Sequence, residues 1–128
     1  MKVIVTGGTG YIGSHTIVDL IQHGFDVVCI DNLSRSSTYA LTGIEKITGK
    51  TIPFYRIDLC DANATHDVLS AHQDAVGIIH FAALKSVPES VAAPLLYYKN
   101  NLESLVNILE SIEKLGIPNF VFSSSCSV

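Results

Sequence analysis

The run that most constrains this chain is its first thirteen residues, MKVIVTGGTGYIG. Val3, Ile4 and Val5 are consecutive apolar β-branched residues, which suits a strand buried on both faces of a parallel sheet. Glycines follow at Gly7, Gly8, Gly10 and Gly13, and a helix-like apolar pattern comes after them. A strand that ends in a glycine turn and feeds a helix offers backbone N–H groups and a positive helix end to a phosphate. The first glycines permit the sharp turn, Gly10 lets a pyrophosphate approach the backbone, and Gly13 lets the helix pack closely. The spacing is G-x-x-G-x-x-G, one residue longer before the second glycine than the G-x-G-x-x-G fingerprint. A glycine triplet alone also fits a plain strand–helix turn. Its place between a strand and a helix is the context the motif requires.

The chain has 128 residues, the length of one domain, and at this size a fold buries roughly two-thirds of its extended surface. Hydrophobic residues at 48% against 16% charged argue for a packed body rather than disorder. A formal net charge of -4 gives no basic footprint for nucleic acid or an anionic membrane. No apolar run approaches the roughly 20 residues of a membrane span, and a strand at the N-terminus leaves no room for a signal peptide. Cys29, Cys60 and Cys126 are odd in number, far apart and free of C-x-x-C spacing, so they read as thiols in a reducing cytoplasm. His15 and His23 lack the i, i+4 histidine partner of a zinc helix, and no metal is implied.

Helical spacing of Ile12, Ile17, Leu20 and Ile21 predicts a first helix over Tyr11 to His23, stopped by Gly24. Phe25 to Ile30 reads as the second buried strand and Asn32 to Thr38 as a polar loop. A short helix over Ala40 to Thr48 precedes a weaker third strand over Pro53 to Leu59, whose proline is tolerable only near the start. A further short helix falls within Asn63 to His72, and Gly77 to Ala83 is a strongly apolar fourth strand. Pro94 to Leu115 is the longest helical pattern, expected to turn Leu95, Leu96, Leu102, Leu105, Val106, Leu109 and Ile112 toward the sheet. Asn119 to Ser123 is the fifth strand. Strands alternating with helices predict right-handed βαβ units in an α/β, Rossmann-like, doubly wound parallel sheet of order 3-2-1-4-5. The sheet is expected to be truncated after strand five, because Val128 closes no element; the chain reads as one incomplete dinucleotide-binding domain, 1–128, at the front of something longer.

Several residues fall where a dinucleotide would need them. Asp31 lies 18 positions after Gly13 at the tip of the second strand, close to the spacing of a ribose-binding acid. Its carboxylate would accept from the ribose hydroxyls and repel a 2′-phosphate, favouring NAD over NADP. A capping or surface aspartate is the plainer reading, and Arg35 keeps NADP open, since a guanidinium meets a phosphate. Asp58 with Leu59 ends the third strand, where an acid accepts from the adenine amino group and an apolar neighbour walls the ring; a loop aspartate fits equally well. Phe81 to Glu89 contains the small Ala82 and Ala83 and then Lys85, a cation at the crevice mouth that fits either the nicotinamide ribose or open solvent. Asn100 and Asn101 interrupt the long helix, and buried amides must find partners. Ser123 to Ser125 stand where a hydroxyl would reach a substrate oxygen, or simply form a serine-rich loop.

Taken together, TGGTGYIGSH, DNLS, IDL, HFAALKSVPES, YYKNN and FSSSCSV resemble the extended short-chain dehydrogenase/reductase superfamily, and within it the UDP-glucose 4-epimerase family. The resemblance covers residues 1 to 128 and only the front part of a family member. It implies a tightly bound NAD, a UDP-hexose substrate, and oxidation at the sugar's C4 followed by return of the hydride to the other face. It assigns Gly7, Gly10, Tyr11, Ile12 and Gly13 to the pyrophosphate. Asp31, Asn32, Leu33, Ser34, Arg35 and Ser36 fall to the adenosine ribose, and Asp58 and Leu59 to adenine. Phe81, Ala82, Ala83, Leu84, Lys85 and Asn100 line the cofactor, and Ser125 relays the proton of the sugar's 4-hydroxyl. It also implies a homodimer through a bundle that includes the Pro94–Leu115 helix.

The family's catalytic Tyr-x-x-x-Lys pair is missing: none of Tyr11, Tyr39, Tyr55, Tyr97 and Tyr98 has a lysine four residues later. These 128 residues alone are therefore expected not to epimerise. Two other readings stay open. The first is another nucleotide-sugar enzyme of the superfamily: an epimerase of UDP-N-acetylhexosamines or UDP-pentoses, a decarboxylase, or a dehydratase. The last of these would carry an Asp-Glu pair beside the serine strand, where this chain has Ser124, Ser125 and Cys126. A non-catalytic NAD-binding module would lack the tyrosine–lysine pair, but it has no need of Lys85 and Ser125.

Overall fold

A computed structural model describes residues 1–33, 38–81 and 91–123, apart from the side chains of Tyr97 and Tyr98. Five parallel strands form one sheet in the order β3-β2-β1-β4-β5, with β1 at Lys2–Thr6, β2 at Asp26–Asp31, β3 at Phe54–Arg56, β4 at Gly77–His80 and β5 at Phe120–Phe122. Helices α1 (Tyr11–Gln22), α2 (Tyr39–Thr48), α3 (Ala62–Ala71) and α4 (Pro94–Leu115) connect them. The expected fold and strand order are those observed.

Side-chain alternation along the central strands divides the core in two. Ile4, Val28, Ile30 and Ile78 face α3 and α4, where Val68, Leu69 and Ile108 meet them. Val3, Val5, Val27 and Cys29 face α1 and α2, against Ile17, Ile21 and Ile44. A sheet covered on both sides explains the unbroken apolar runs of β1 and β2. Because β1 lies between β2 and β4, the chain winds off in opposite directions on its two sides, which opens a crevice at the strands' carboxyl ends.

Two expectations need correction. The third strand does not reach Leu59: it pairs only through Arg56, opposite Asp31. Beyond it Asp58 Oδ1 accepts the Cys60 N–H at 2.9 Å and the Asp58 carbonyl accepts the Asp61 N–H at 2.9 Å, so the chain turns there instead of pairing. On α4, Leu95, Leu96, Leu102, Val106 and Leu109 are exposed. The inward face is Ser104, Ile108 and Ser111, with Leu105, Ile112 and Leu115 half-buried beside them. Small serines let α4 lie close to its neighbours, and the larger aliphatic stripe is left on the outside.

Candidate functional site

The crevice is built first by the glycine turn. Gly7 follows β1 at φ +70°, a left-handed conformation that favours glycine, and its N–H donates to the Ile30 carbonyl at 2.8 Å, tying the turn to β2. A Cβ on Gly8 would stand 2.5 Å from Cys29 Sγ and 2.6 Å from Ile17 Cδ1. A Cβ on Gly13 would run into the Gly7 carbonyl oxygen, with Gly8 Cα at 2.9 Å. The start of α1 therefore rests directly on the turn.

Gly10 is the N-cap of α1; it supplies no capping side chain, and the first turn holds no acidic residue. The first N–H groups of α1 are thus left to a ligand or water, a cradle that suits an anion. Tyr11 is 81% exposed at this end, its ring against that of His15 at 4.5 Å between centroids, and Ile12 is also exposed, so neither belongs to the core.

Asp31 ends β2 beside this turn. Its Oδ2 accepts the Thr9 hydroxyl at 2.6 Å and the Thr9 N–H at 3.3 Å, while Oδ1 accepts the Leu33 N–H at 2.9 Å. Leu33 takes a left-handed φ of 61° to do so, and Asn32 lies half-buried between them. Thr9 was singled out by nothing in the sequence, because its partner is 22 residues away and only the fold joins them.

On the other side of β2, Asp58 is exposed, whereas the Leu59 side chain is buried in the core and its carbonyl accepts from Thr65 Oγ1 and Asn107 Nδ2. Cys60 links this loop to α4: its Sγ donates to the Asn100 carbonyl at 3.5 Å and to Asn100 Oδ1 at 3.6 Å. Asn100 Nδ2 in turn donates to Asn101 Oδ1 at 3.2 Å. The fold thus brings the Asp58–Leu59 loop and Asn100 together through a cysteine without an assigned role. Burial pushes the Cys60 thiol up to about 11, helped by the nearby Asp58 charge. Burial first, and then Asp31, pushes Cys29 up to about 12. Both are protonated at neutral pH.

Beside the turn, Thr6 Oγ1 and His80 Nδ1 form a buried 2.6 Å hydrogen bond between the last residues of β1 and β4. Phe81 follows, its N–H donating to the Thr6 carbonyl at 3.0 Å and its ring half-buried against the α1–α2 core. Ser34, Arg35, Ser36, Ala82, Ala83, Leu84, Lys85 and Ser125 lie outside the described residues. Among the described residues no group of three or more His, Cys, Asp or Glu side chains could hold a metal, and no helix is long and apolar enough to cross a membrane.

The model of the NAD dependent epimerase/dehydratase family matches residues 3–128. The UDP-glucose 4-epimerase uge1 of Schizosaccharomyces pombe is 51% identical over 126 residues, covering 98% of this chain and 35% of that protein. The UDP-glucose 4-epimerase of Bacillus subtilis is 50% identical over 128 residues, covering 100% of this chain and 38% of that protein. Among solved structures, UDP-glucose 4-epimerase from Bifidobacterium longum in complex with NAD+ and UDP superposes with a TM-score of 0.94 at 42% identity, covering 100% of this chain and 38% of that one. The chain therefore spans little more than a third of the length of these relatives.

Proposed function

We propose, from the premise that the chain belongs to the NAD dependent epimerase/dehydratase family, that residues 1–128 belong to the NAD-binding domain of a UDP-glucose 4-epimerase. The observation that carries this reading is the Thr9–Asp31 junction, which ties an open phosphate cradle to a ribose-type acid by two hydrogen bonds. The close seat of α1 on the turn at Gly13 and the uncapped start of that helix suit a pyrophosphate, and an acid at the tip of β2 suits an unphosphorylated ribose.

In this reading Gly7, Gly10 and Gly13 shape the turn, and the N–H groups at Tyr11 and Ile12 hold the pyrophosphate. Asp31 to Ser36 hold the adenosine ribose, Asp58 stands at adenine with the Leu59 side chain anchoring its loop in the core, and Asn100 and Phe81 to Lys85 line the rest. When bound, NAD supplies a reversible hydride acceptor. The chain's own contribution is orientation and electrostatics: Lys85 places positive charge near the nicotinamide ribose, and Ser125 binds the sugar's 4-oxygen and relays its proton. The proton-abstracting base belongs to a Tyr-x-x-x-Lys pair that these residues do not include, so this chain by itself binds but does not epimerise. A homodimer in the cytoplasm completes the proposal. Leu95, Leu102, Val106 and Leu109, exposed at helical spacing on α4, support the pairing of two copies.

Isothermal titration calorimetry with NAD, paired with a coupled UDP-galactose assay, tests the reading. One NAD per chain without sugar turnover is expected. No heat with NAD, or turnover by the 128 residues alone, would overturn it.

A further inference from the structure

We propose that Thr9 sets the dinucleotide preference of this site by fixing the Asp31 carboxylate; the assignment rests on the NAD reading above. Thr9 is 5% exposed within the glycine turn, so its hydroxyl works inside the fold rather than in solvent. Its 2.6 Å bond to Asp31 Oδ2 is short and charge-assisted, and its own N–H at 3.3 Å supplies a second donor to the same oxygen. A carboxylate offers about four lone-pair sites. Among the described residues Thr9 takes the two on Oδ2 and the Leu33 N–H takes one on Oδ1, which leaves acceptor capacity on Oδ1 alone.

The group is therefore aimed. It presents a full negative charge and one acceptor edge in a fixed direction, which welcomes a hydroxyl donor. A 2′-phosphate carries negative charge and little to donate, so the same fixed charge repels it. Leu33 holds its left-handed φ of 61° on the opposite side of the carboxylate, a conformation that persists only where the surroundings over-determine it. Without the Thr9 hydroxyl, Asp31 gains freedom to rotate toward solvent. Acceptance of the ribose hydroxyl weakens and repulsion of the phosphate relaxes.

The test compares NAD and NADP binding by calorimetry in the unsubstituted chain, Thr9→Val and Thr9→Ser. Thr9→Val is expected to weaken NAD about tenfold, equivalent to ~1.4 kcal/mol, while NADP shifts by no more than about twofold. Thr9→Ser keeps the hydroxyl and is expected to keep the preference. Thermal melts followed by circular dichroism report folding separately, and Thr9→Ala, which adds no new bulk, replaces the valine variant if that one does not fold. An unchanged NAD-to-NADP ratio in a folded Thr9→Val or Thr9→Ala chain, or equal losses in the valine and serine variants, would overturn the assignment while leaving the NAD reading intact. Failure of the unsubstituted chain to bind either dinucleotide is a different result: it overturns the NAD reading and the Thr9 assignment with it.

Discussion

Gly13→Ala isolates the closeness of the helix to the glycine turn. Gly13 is the third residue of α1, so by intrinsic propensity alone alanine should stabilise the helix by about 1 kcal/mol. Packing opposes this. The added Cβ would overlap the Gly7 carbonyl oxygen and sit 2.9 Å from Gly8 Cα and 3.0 Å from Gly7 C, all of them backbone atoms that no rotamer change can move. Clearing Gly8 Cα alone to an ordinary 3.4 Å contact shifts the helix by at least about 0.5 Å. Overpacking of this kind costs about 1–3 kcal/mol, and an obstacle made of backbone puts it at the upper end. The net expectation is destabilisation by about 2 kcal/mol, or a fall of about 6–10 °C in melting temperature for a chain of this size.

Gly43→Ala is the matched control. Gly43 lies inside α2 with nothing within 4 Å of its Cβ position, so the same substitution should stabilise the chain by about 0.5–1 kcal/mol. Thermal melts at 222 nm compare the pair. If Gly13→Ala melts at or above the unsubstituted chain, the close-packing argument is wrong. If both variants fall equally, glycine itself rather than contact distance is responsible.

Three further outcomes follow from other parts of the fold. Thr6→Val removes the hydroxyl from the buried bond to His80 Nδ1 and is expected to lower stability by about 1–3 kcal/mol in urea titrations, with Thr6→Ser near neutral. Burial, and then the Lys2 charge, holds His72 below its ordinary 6.5, against a smaller opposing pull from Asp74. The unfolded chain therefore binds that proton more readily, so the stability present above pH 6.5 is lost as pH falls below it. Melting temperatures measured from pH 8 to 5 should fall below 6.5, and His72→Phe should flatten that part of the slope. Finally, with Cys29 at about 12 and Cys60 at about 11, only about a thousandth of Cys60 is thiolate at pH 8. Iodoacetamide followed by peptide mass mapping should label Cys60 slowly and Cys29 only after unfolding; rapid native labelling of Cys29 would contradict its burial.

Much of the architecture could be read from residue order, and the reasons are local. Strands β1, β2 and β4 announce themselves because a sheet covered on both faces demands apolar runs, and Gly49 and Gly116 mark helix ends by their left-handed φ of 72° and 73°. The apolar Ile57 and Leu59 look like a continuation of the third strand, but both pack into the α3–α4 core from a turn instead. Helix α4 carries two apolar faces, and periodicity alone does not say which one a sheet takes; Ile112 packs against the core as expected, whereas Leu95, Leu96, Leu102, Val106 and Leu109 stay outside. Within the site, the glycines and Asp31 were legible from spacing. Thr9, Cys60 and the Thr6–His80 pair were not, since each acquires its partner from a segment 22, 40 or 74 residues away.

The central claim is that the glycine turn and the tip of β2 together hold NAD. Amide NMR of the 15N-labelled chain titrated with NAD tests it most directly. The largest shifts are expected on the N–H signals of Gly10 to Gly13, Thr9 and Asp31 to Leu33, with NADP producing smaller ones. Shifts concentrated instead on the groove between α3 and α4, around His66, Asp67 and Glu110, or no saturable shifts at all, would contradict it.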